Sequence, residues 1–226
     1  MTPVEQVAGE SLVRRLRQLD TCSVSDAMDS LGIDGVVTGL VSFGTSKRVA
    51  GRARTIKIVP TSPDVQAGVH LGATTLSTAH PDDIVVVAND ARVGMAAWGG
   101  LLSLAAIRRG ISGVVVDGAV RDVDEARDYG LAIYARAAIP RTARRRVIEA
   151  ETDGPVSIGG VEVLAGDYML IDATGVVCLP ANRATEIVAA AESIAAKERA
   201  MAVALYNDVP IIEVLGASYE QLLNRL

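Results

Sequence analysis

The chain has 226 residues, half of them hydrophobic and only 3% aromatic, which is enough for the core of one α/β domain built from Ala, Val, Ile, Leu and Gly. A formal net charge of −5 runs against nucleic-acid binding, which usually goes with a basic balance. The opening residues carry acids and no apolar h-region, and no stretch approaches eighteen uninterrupted apolar residues, so neither secretion nor a membrane span is expected and a cytoplasmic place is.

Taken in chain order, residues 9–19 put Leu12, Val13, Leu16 and Leu19 on one helical face. Cap-forming residues from Thr21 through Ser25 and Asp26 then open a short helix that ends at Gly32. After a glycine-rich stretch, Arg52 to Val59 alternates like a strand, and 66–79 is expected to be helical before the Pro81-Asp82-Asp83 turn. Ile84 to Ala88 is a β-branched run of the kind buried on both sheet faces. Leu101 to Arg109 returns to helical spacing and stops at Gly110. Gly113 to Val116 is a second buried strand, 122–129 a polar helix closed by Gly130, and Leu131 to Ala135 a third strand. Short alternating segments with glycine turns over 156–179 suggest a β-meander, followed by an Ala-rich helix over about 182–204 and one more helix after Pro210. No linker or repeat interrupts this, so 1–226 is expected to be a single α/β domain ending in helices.

Cys22 and Cys178 form no C-x-x-C pair and read as small buried residues. His70 and His80 lack metal-ligand spacing, which speaks against a zinc site. The basic run Arg141 to Arg146 reads as a solvated loop or helix face.

The segment from Trp98 to Gly130 carries the chemistry. Gly99 and Gly100 precede a helix, so their N–H groups can meet a carboxylate at its positive end, although a tight turn alone would also explain them. Arg121 and Asp122 follow a buried strand, in the zone where α/β sheets collect ligands. Arg121 can clamp a carboxylate or enolate oxygen, and Asp122 can hold a hard cation such as Mg²⁺. Asp122 with Glu125 is equally a capping box for the following helix, and the spacing leaves both readings open. Asp117 reads as a turn residue and Trp98 as packing at least as readily as pocket lining.

Gly100, twenty intervening residues, Arg121-Asp122, two more and Glu125 match the pattern G-x20-R-D-x2-E/D. With TCSVSDAMDSLG, PDDIVVVAND, DGAVRDVDE and AGDYMLIDATGVVCLP, the chain resembles, over about 10–205, the RraA-like family. That family holds regulators of ribonuclease E activity and 4-hydroxy-4-methyl-2-oxoglutarate/4-carboxy-4-hydroxy-2-oxoadipate aldolases. The resemblance implies an α/β/β sandwich resembling swivelling domains, assembled as a homotrimer or a dimer of trimers, with the site between subunits. It implies a divalent-metal-dependent lyase, an aldolase or oxaloacetate decarboxylase, that cleaves a 2-oxo acid through pyruvate enolate. Asp122 would anchor Mg²⁺ or Mn²⁺, Arg121 would bind the pyruvyl carboxylate and enolate, and the backbone of Gly99, Gly100, Leu101 and Leu102 would receive the substrate carboxylate. Glu198 of a neighbouring subunit, or failing that Glu192, would reach the metal through water.

One departure stands out: aldolase members often carry Asp or Glu at the position of Gly100, where it contacts a metal-bound water. Unless a water relay compensates or Asp117 or Asp124 substitutes, this favours oxaloacetate decarboxylation, which needs no base to take a hydroxyl proton. A methyltransferase reading fails for want of a G-x-G turn after a strand. The alternatives to a lyase are a non-enzymatic regulator that binds a ribonuclease, a reading that gives Arg121 and Asp122 no task, and a structural oligomer whose ancestral site is empty.

Overall fold

The computed structural model describes residues 3–62 and 68–216, with side chains described at 9 and from 11 onward. In chain order the elements are α1 (Pro3–Leu16), α2 (Thr21–Ser30), β1 (Val36–Val37), β2 (Val41–Ser42), β3 (Val49–Pro60), α3 (Ala73–Thr78), β4 (Ile84–Trp98), α4 (Gly100–Arg109), β5 (Gly113–Val120), α5 (Val123–Asp128) and β6 (Ala132–Ala138). The second half adds β7 (Val147–Thr152), β8 (Val156–Ile158), β9 (Val161–Val163), β10 (Tyr168–Ile171), β11 (Val176–Leu179), α6 (Ala184–Tyr206) and α7 (Ile211–Val214). No described helix is long and apolar enough to cross a membrane.

The β-branched runs do what continuous apolar strands do, and lie in the middle of a sheet covered on both faces. Strands β3, β4, β5 and β6 are parallel neighbours within a mixed sheet ordered β1-β11-β10-β3-β4-β5-β6-β2, with β7 also on β3. Side-chain alternation sorts the residues into layers. Val85, Val87, Val114 and Val116 point toward Leu76, Leu102, Ala106 and Ala126 of α3, α4 and α5. Val86 and Val115 point the other way, onto the β8–β9 hairpin and onto Met169, Ile171, Val176 and Cys178 of β10 and β11. The opposite faces of those last strands, Leu170, Val177 and Leu179, carry Leu12, Leu16, Val24, Ile187 and Ala191 of α1, α2 and α6. The α/β/β sandwich is therefore present as one mixed α/β domain, with an outer helical layer from α1, α2 and α6.

Several expected elements differ. The helix expected over 66–79 is the single turn-and-a-half Ala73–Thr78, and residues 66–67 of that expectation lie outside the described residues. The strand expected over 84–88 runs on to Trp98, because an exposed excursion at 90–94 returns to the sheet. Asp90 and Ala91 turn that corner in the left-handed region, at φ 47° and 56°. Strand β7 was not expected; among the described strands it pairs with β3 alone, as an edge. The late strands are two separate hairpins, not a meander: β8 pairs β9, and β10 pairs β11 and β3. Cys178 is buried as expected, but Cys22 is exposed, on the solvent side of α2. The N-cap of α2 is Asp20, whose carboxylate accepts from Ser23 N, so Ser25 and Asp26 sit inside the helix instead of capping it. The tail after Pro210 does form a helix, Ile211–Val214.

Asp172, in the β10–β11 turn, joins the outer helices to the sheet. It accepts from Thr21 N and Oγ1, both at 2.8 Å, and from Thr174 N at 2.9 Å. Burial alone would raise its pKa, but the hydrogen bonds from Thr21 and Thr174 outweigh that and hold it below the usual carboxylate value. Its contribution to stability is thus complete above the unfolded pKa and is lost as pH falls through the lower folded one. Asp172→Ala, which orphans two donors of buried Thr21, should cost about 2–4 kcal/mol at neutral pH and flatten the acid limb of stability against pH. Urea midpoints measured from pH 7 downward check both parts.

Candidate metal and substrate site

The site forms where two adjacent parallel strands end together. The excursion in β4 shifts its register on β5 and brings Trp98 opposite Val120. Arg121 N then donates to Trp98 O at 3.0 Å. Gly99-Gly100 and Arg121-Asp122 therefore leave the sheet side by side, at the carboxyl ends of β4 and β5.

Asp122 does not build the capping box. It lies in the left-handed region at φ 55°, and its side chain makes no cap hydrogen bond to α5. The carboxylate instead crosses to the neighbouring helix, where Oδ2 accepts from Gly100 N at 2.9 Å and sits 3.3 Å from Arg121 Nε. The cap of α4 is Gly99, which has no side chain to offer, so an acid from the next βα junction meets the helix's positive end. The first-turn N–H groups of Leu101 and Leu102 have no acceptor within the helix, as is general for helix amino termini. Leu102 is buried, whereas Leu101 is 81% exposed.

Both glycines are explained by crowding, not by φ. A Cβ at Gly99 would stand 2.9 Å from Asp122 Oδ2 and 3.0 Å from Arg121 Nε. A Cβ at Gly100 would stand 1.9 Å from Glu125 Oε2. The Glu125 carboxylate thus fills the space that a side chain at 100 would take. Gly100→Ala should fold with little change in melting temperature, because the flexible end of Glu125 can move aside and Asp122 Cβ, 3.2 Å from the new methyl, need give only slightly. It should lower turnover by up to about a hundredfold, the scale of an ångström-level misplacement. A melting curve and a kinetic assay on one preparation separate the two effects.

Asp122 and Glu125 line a hollow of about 530 Å³ with Phe43, Val123, Asp124, Arg127 and Ala138. On the other side of the Arg121–Asp122 pair, Gly99, Arg121, Trp98 and Leu102 line a cavity of about 870 Å³ whose far wall is the 142–149 segment. Trp98 is otherwise core, with Nε1 donating to Ser103 Oγ at 3.0 Å.

Hard oxygen donors are what a cation such as Mg²⁺ requires, and it keeps several waters when only one or two carboxylates reach it. Asp122 and Glu125 supply such a pair. Among the described residues no group of three or more His, Cys, Asp or Glu is arranged to hold a metal ion.

Other expected contributors lie elsewhere. Asp117 is buried and committed to Arg136 Nε at 2.5 Å, with Ala91 N at 3.3 Å, so it braces the β4 excursion. Asp124 pairs with Arg127 at 3.2 Å. Glu192 forms a two-pronged ion pair with Arg15, at 2.9 and 2.8 Å, and that hydrogen bonding lowers its pKa. Glu198 faces α2 in the outer helical layer, where burial first, and then the charges of Asp20 and Asp26, raise its pKa. Within one chain neither glutamate is brought to Arg121 and Asp122. The position of Glu125 above Gly100 was not legible from spacing, because it depends on the left-handed turn at Asp122.

A family model, RraA-like (Aldolase/RraA), matches residues 21–178. The Legionella pneumophila protein DlpA is 30% identical over 191 residues, 83% of this chain; the match spans only 31% of that longer relative. A 4-hydroxy-4-methyl-2-oxoglutarate aldolase of Thermus thermophilus is 34% identical over 139 residues, 62% of this chain and 80% of that protein. Among solved structures, Streptomyces coelicolor RraAS2, described as an unusual member of the RNase ES inhibitor RraA protein family, superposes with a TM-score of 0.76 at 28% identity. That match covers 84% of this chain and 94% of that one.

Proposed function

Since the chain belongs to the RraA-like family, we propose that it is a divalent-metal-dependent carbon–carbon lyase acting on a 2-oxo acid. The observation that carries this reading is the Asp122 carboxylate. It gives up its own helix to stand between Gly100 N and Arg121, with Glu125 alongside. A helix cap would have served stability alone. A carboxylate withdrawn from its cap, at paired strand ends and beside an arginine, suits cation and anion binding together.

Asp122, supported by Glu125, would hold Mg²⁺ or Mn²⁺. When bound, such an ion polarises a 2-oxo carbonyl and offsets the charge of the enolate. Arg121 directs its guanidinium at the carboxylate and enolate oxygen of the pyruvyl end, and the N–H groups of Leu101 and Leu102 receive a carboxylate oxygen. Glu125 supplies a carboxylate beside Gly100, in the space where aldolase members of the family often carry an acid. It is the group best placed to take a hydroxyl proton through water as the C3–C4 bond breaks, which restores aldol cleavage beside decarboxylation as a reaction of this site. A homotrimer or dimer of trimers, with Glu198 of a neighbouring copy reaching the site through water, fits the exposure of Leu101 and completes the proposal.

The test is pyruvate release from oxaloacetate and from 4-hydroxy-4-methyl-2-oxoglutarate, coupled to lactate dehydrogenase, in Mg²⁺ and then in EDTA. A metal-only control removes spontaneous loss of CO₂. EDTA-sensitive turnover on either substrate supports the lyase. Absence of turnover together with tight binding to a ribonuclease would replace it with the regulator reading, toward which the likeness to RraAS2 points.

A further inference from the structure

We propose that His70 is the proton donor and acceptor at the enolate carbon of this site, with Nε2 of its imidazole as the reacting atom. The inference rests on the enolate reading of Arg121 and Asp122, and gives a residue to a step which that reading leaves without one.

The step follows from the chemistry. When the C3–C4 bond breaks, its electron pair stays on the pyruvyl fragment as an enolate, and C3 must gain a proton to give pyruvate. Glu125, assigned above to the hydroxyl proton, lines the hollow on the other side of Asp122. Arg121, which holds the pyruvyl end in that reading, lines the cavity of about 870 Å³, and His70 lines the same cavity.

Elimination within that lining leaves His70. Imidazole and carboxylate side chains act as general acids and bases, and the lining offers one of each, His70 and Glu149. The guanidinium groups of Arg121, Arg144 and Arg145 keep their protons. Glu149 is engaged, accepting from Gly72 N at 2.7 Å and from Thr152 Oγ1. His70 is exposed.

The imidazole also has a defined tautomer. His70 Nδ1 lies 2.9 Å from Leu71 O, and a carbonyl only accepts, so Nδ1 carries a hydrogen. In the neutral ring the free lone pair is therefore on Nε2. Nε2 has no hydrogen-bond partner among the described residues, so it is the nitrogen left to exchange a proton with a ligand.

The backbone that carries the ring is tied to the rest of the site. Ala73 N donates to His70 O at 3.0 Å, and Gly72 N is held by Glu149 of β7. Gly72, at φ 79°, packs against Trp98 and Leu102, since a Cβ there would stand 3.5 Å from each side chain. Those two residues flank Gly99 and Gly100, so the turn bearing His70 is seated on the glycine loop itself. In the forward step the π pair of the enolate bonds the Nε2 hydrogen of the imidazolium to C3. The C2 oxyanion becomes a carbonyl, and the N–H electron pair returns to Nε2. The reverse step removes a methyl proton from pyruvate.

The test separates bond cleavage from protonation. With Mg²⁺, EDTA-sensitive CO₂ release from oxaloacetate is measured beside exchange of pyruvate methyl protons in deuterated water. Enolpyruvate ketonises in solution unaided, so CO₂ release does not require His70. His70→Gln is expected to keep CO₂ release within about threefold of wild type and to slow exchange at least about a hundredfold, the scale of general acid–base catalysis. In His70→Ala, added imidazole is expected to restore exchange as its concentration rises, which a merely structural role would not produce. If the wild type releases no CO₂ above the metal-only control, the enolate reading fails and this inference falls with it. With CO₂ release present, the assignment to His70 alone is overturned by any of four results: no exchange in the wild type, unchanged exchange in His70→Gln, exchange and CO₂ release falling in step, or a loss that imidazole does not restore.

Discussion

Asp122→Asn protein is expected to fold as the wild type does and to lose EDTA-sensitive pyruvate release by at least about a hundredfold. Asn is the informative replacement because it keeps what holds the backbone. It tolerates the left-handed conformation at φ 55°, which Ala adopts only with strain, and its amide oxygen can still accept from Gly100 N. Only the negative charge goes, so lost turnover with an unchanged melting curve isolates cation binding from folding. Titration of Mg²⁺ into the apo-protein by calorimetry should show weakened binding in the same variant. Full activity in Asp122→Asn would mean that the cation, if needed, is held elsewhere.

Arg121→Ala is expected to lower kcat/KM by about 10²–10³, the 3–4 kcal/mol typical of a single oxyanion contact. Its cost to stability should be small. The Arg121 side chain is 41% exposed and its pairing with Asp122, at 3.3 Å, is of the solvent-screened kind worth about 0–1 kcal/mol. A large kinetic effect with a small thermal one would mark Arg121 as serving the ligand. Arg121→Lys keeps charge without the planar fork, so it should recover only part of the loss. Equal losses on oxaloacetate and 4-hydroxy-4-methyl-2-oxoglutarate would tie Arg121 to the pyruvyl end that both share.

The sequence made the strands of the parallel sheet readable because burial on both faces leaves an unbroken β-branched run, as in Val114 to Val116. It also made the Gly99-Gly100 and Arg121-Asp122 pairs readable, since glycine before a helix and charge after a buried strand each have a physical reason. What it left open was the use of Asp122. A capping box and a ligand site share one spacing, and only the backbone turn at φ 55° separates them. The excursion of β4 was illegible for a related reason, because its residues are polar and exposed while their register on β5 is set by the partner strand. Cys22 was misread because a small apolar residue on a short helix can face either way, and the core beneath α2 is filled by Val24, Ala27 and Met28. The arginines at 144 and 145 read as solvated, and they are exposed. That description could not reveal that the solvent they face is a cavity shared with Arg121.

The hydrogen bond from Gly100 N to Asp122 has an entropic consequence. A surface aspartate samples several rotamers and must surrender them when it takes a ligand, whereas this one has already surrendered them in folding. The ordering cost is met by the fold and by the head of α4, so cation binding should bring little tightening of the surrounding backbone. Hydrogen exchange at Gly99 to Leu102 and at Arg121 to Glu125 should therefore be nearly the same with and without Mg²⁺, with protection appearing only when the organic ligand covers the first turn of α4.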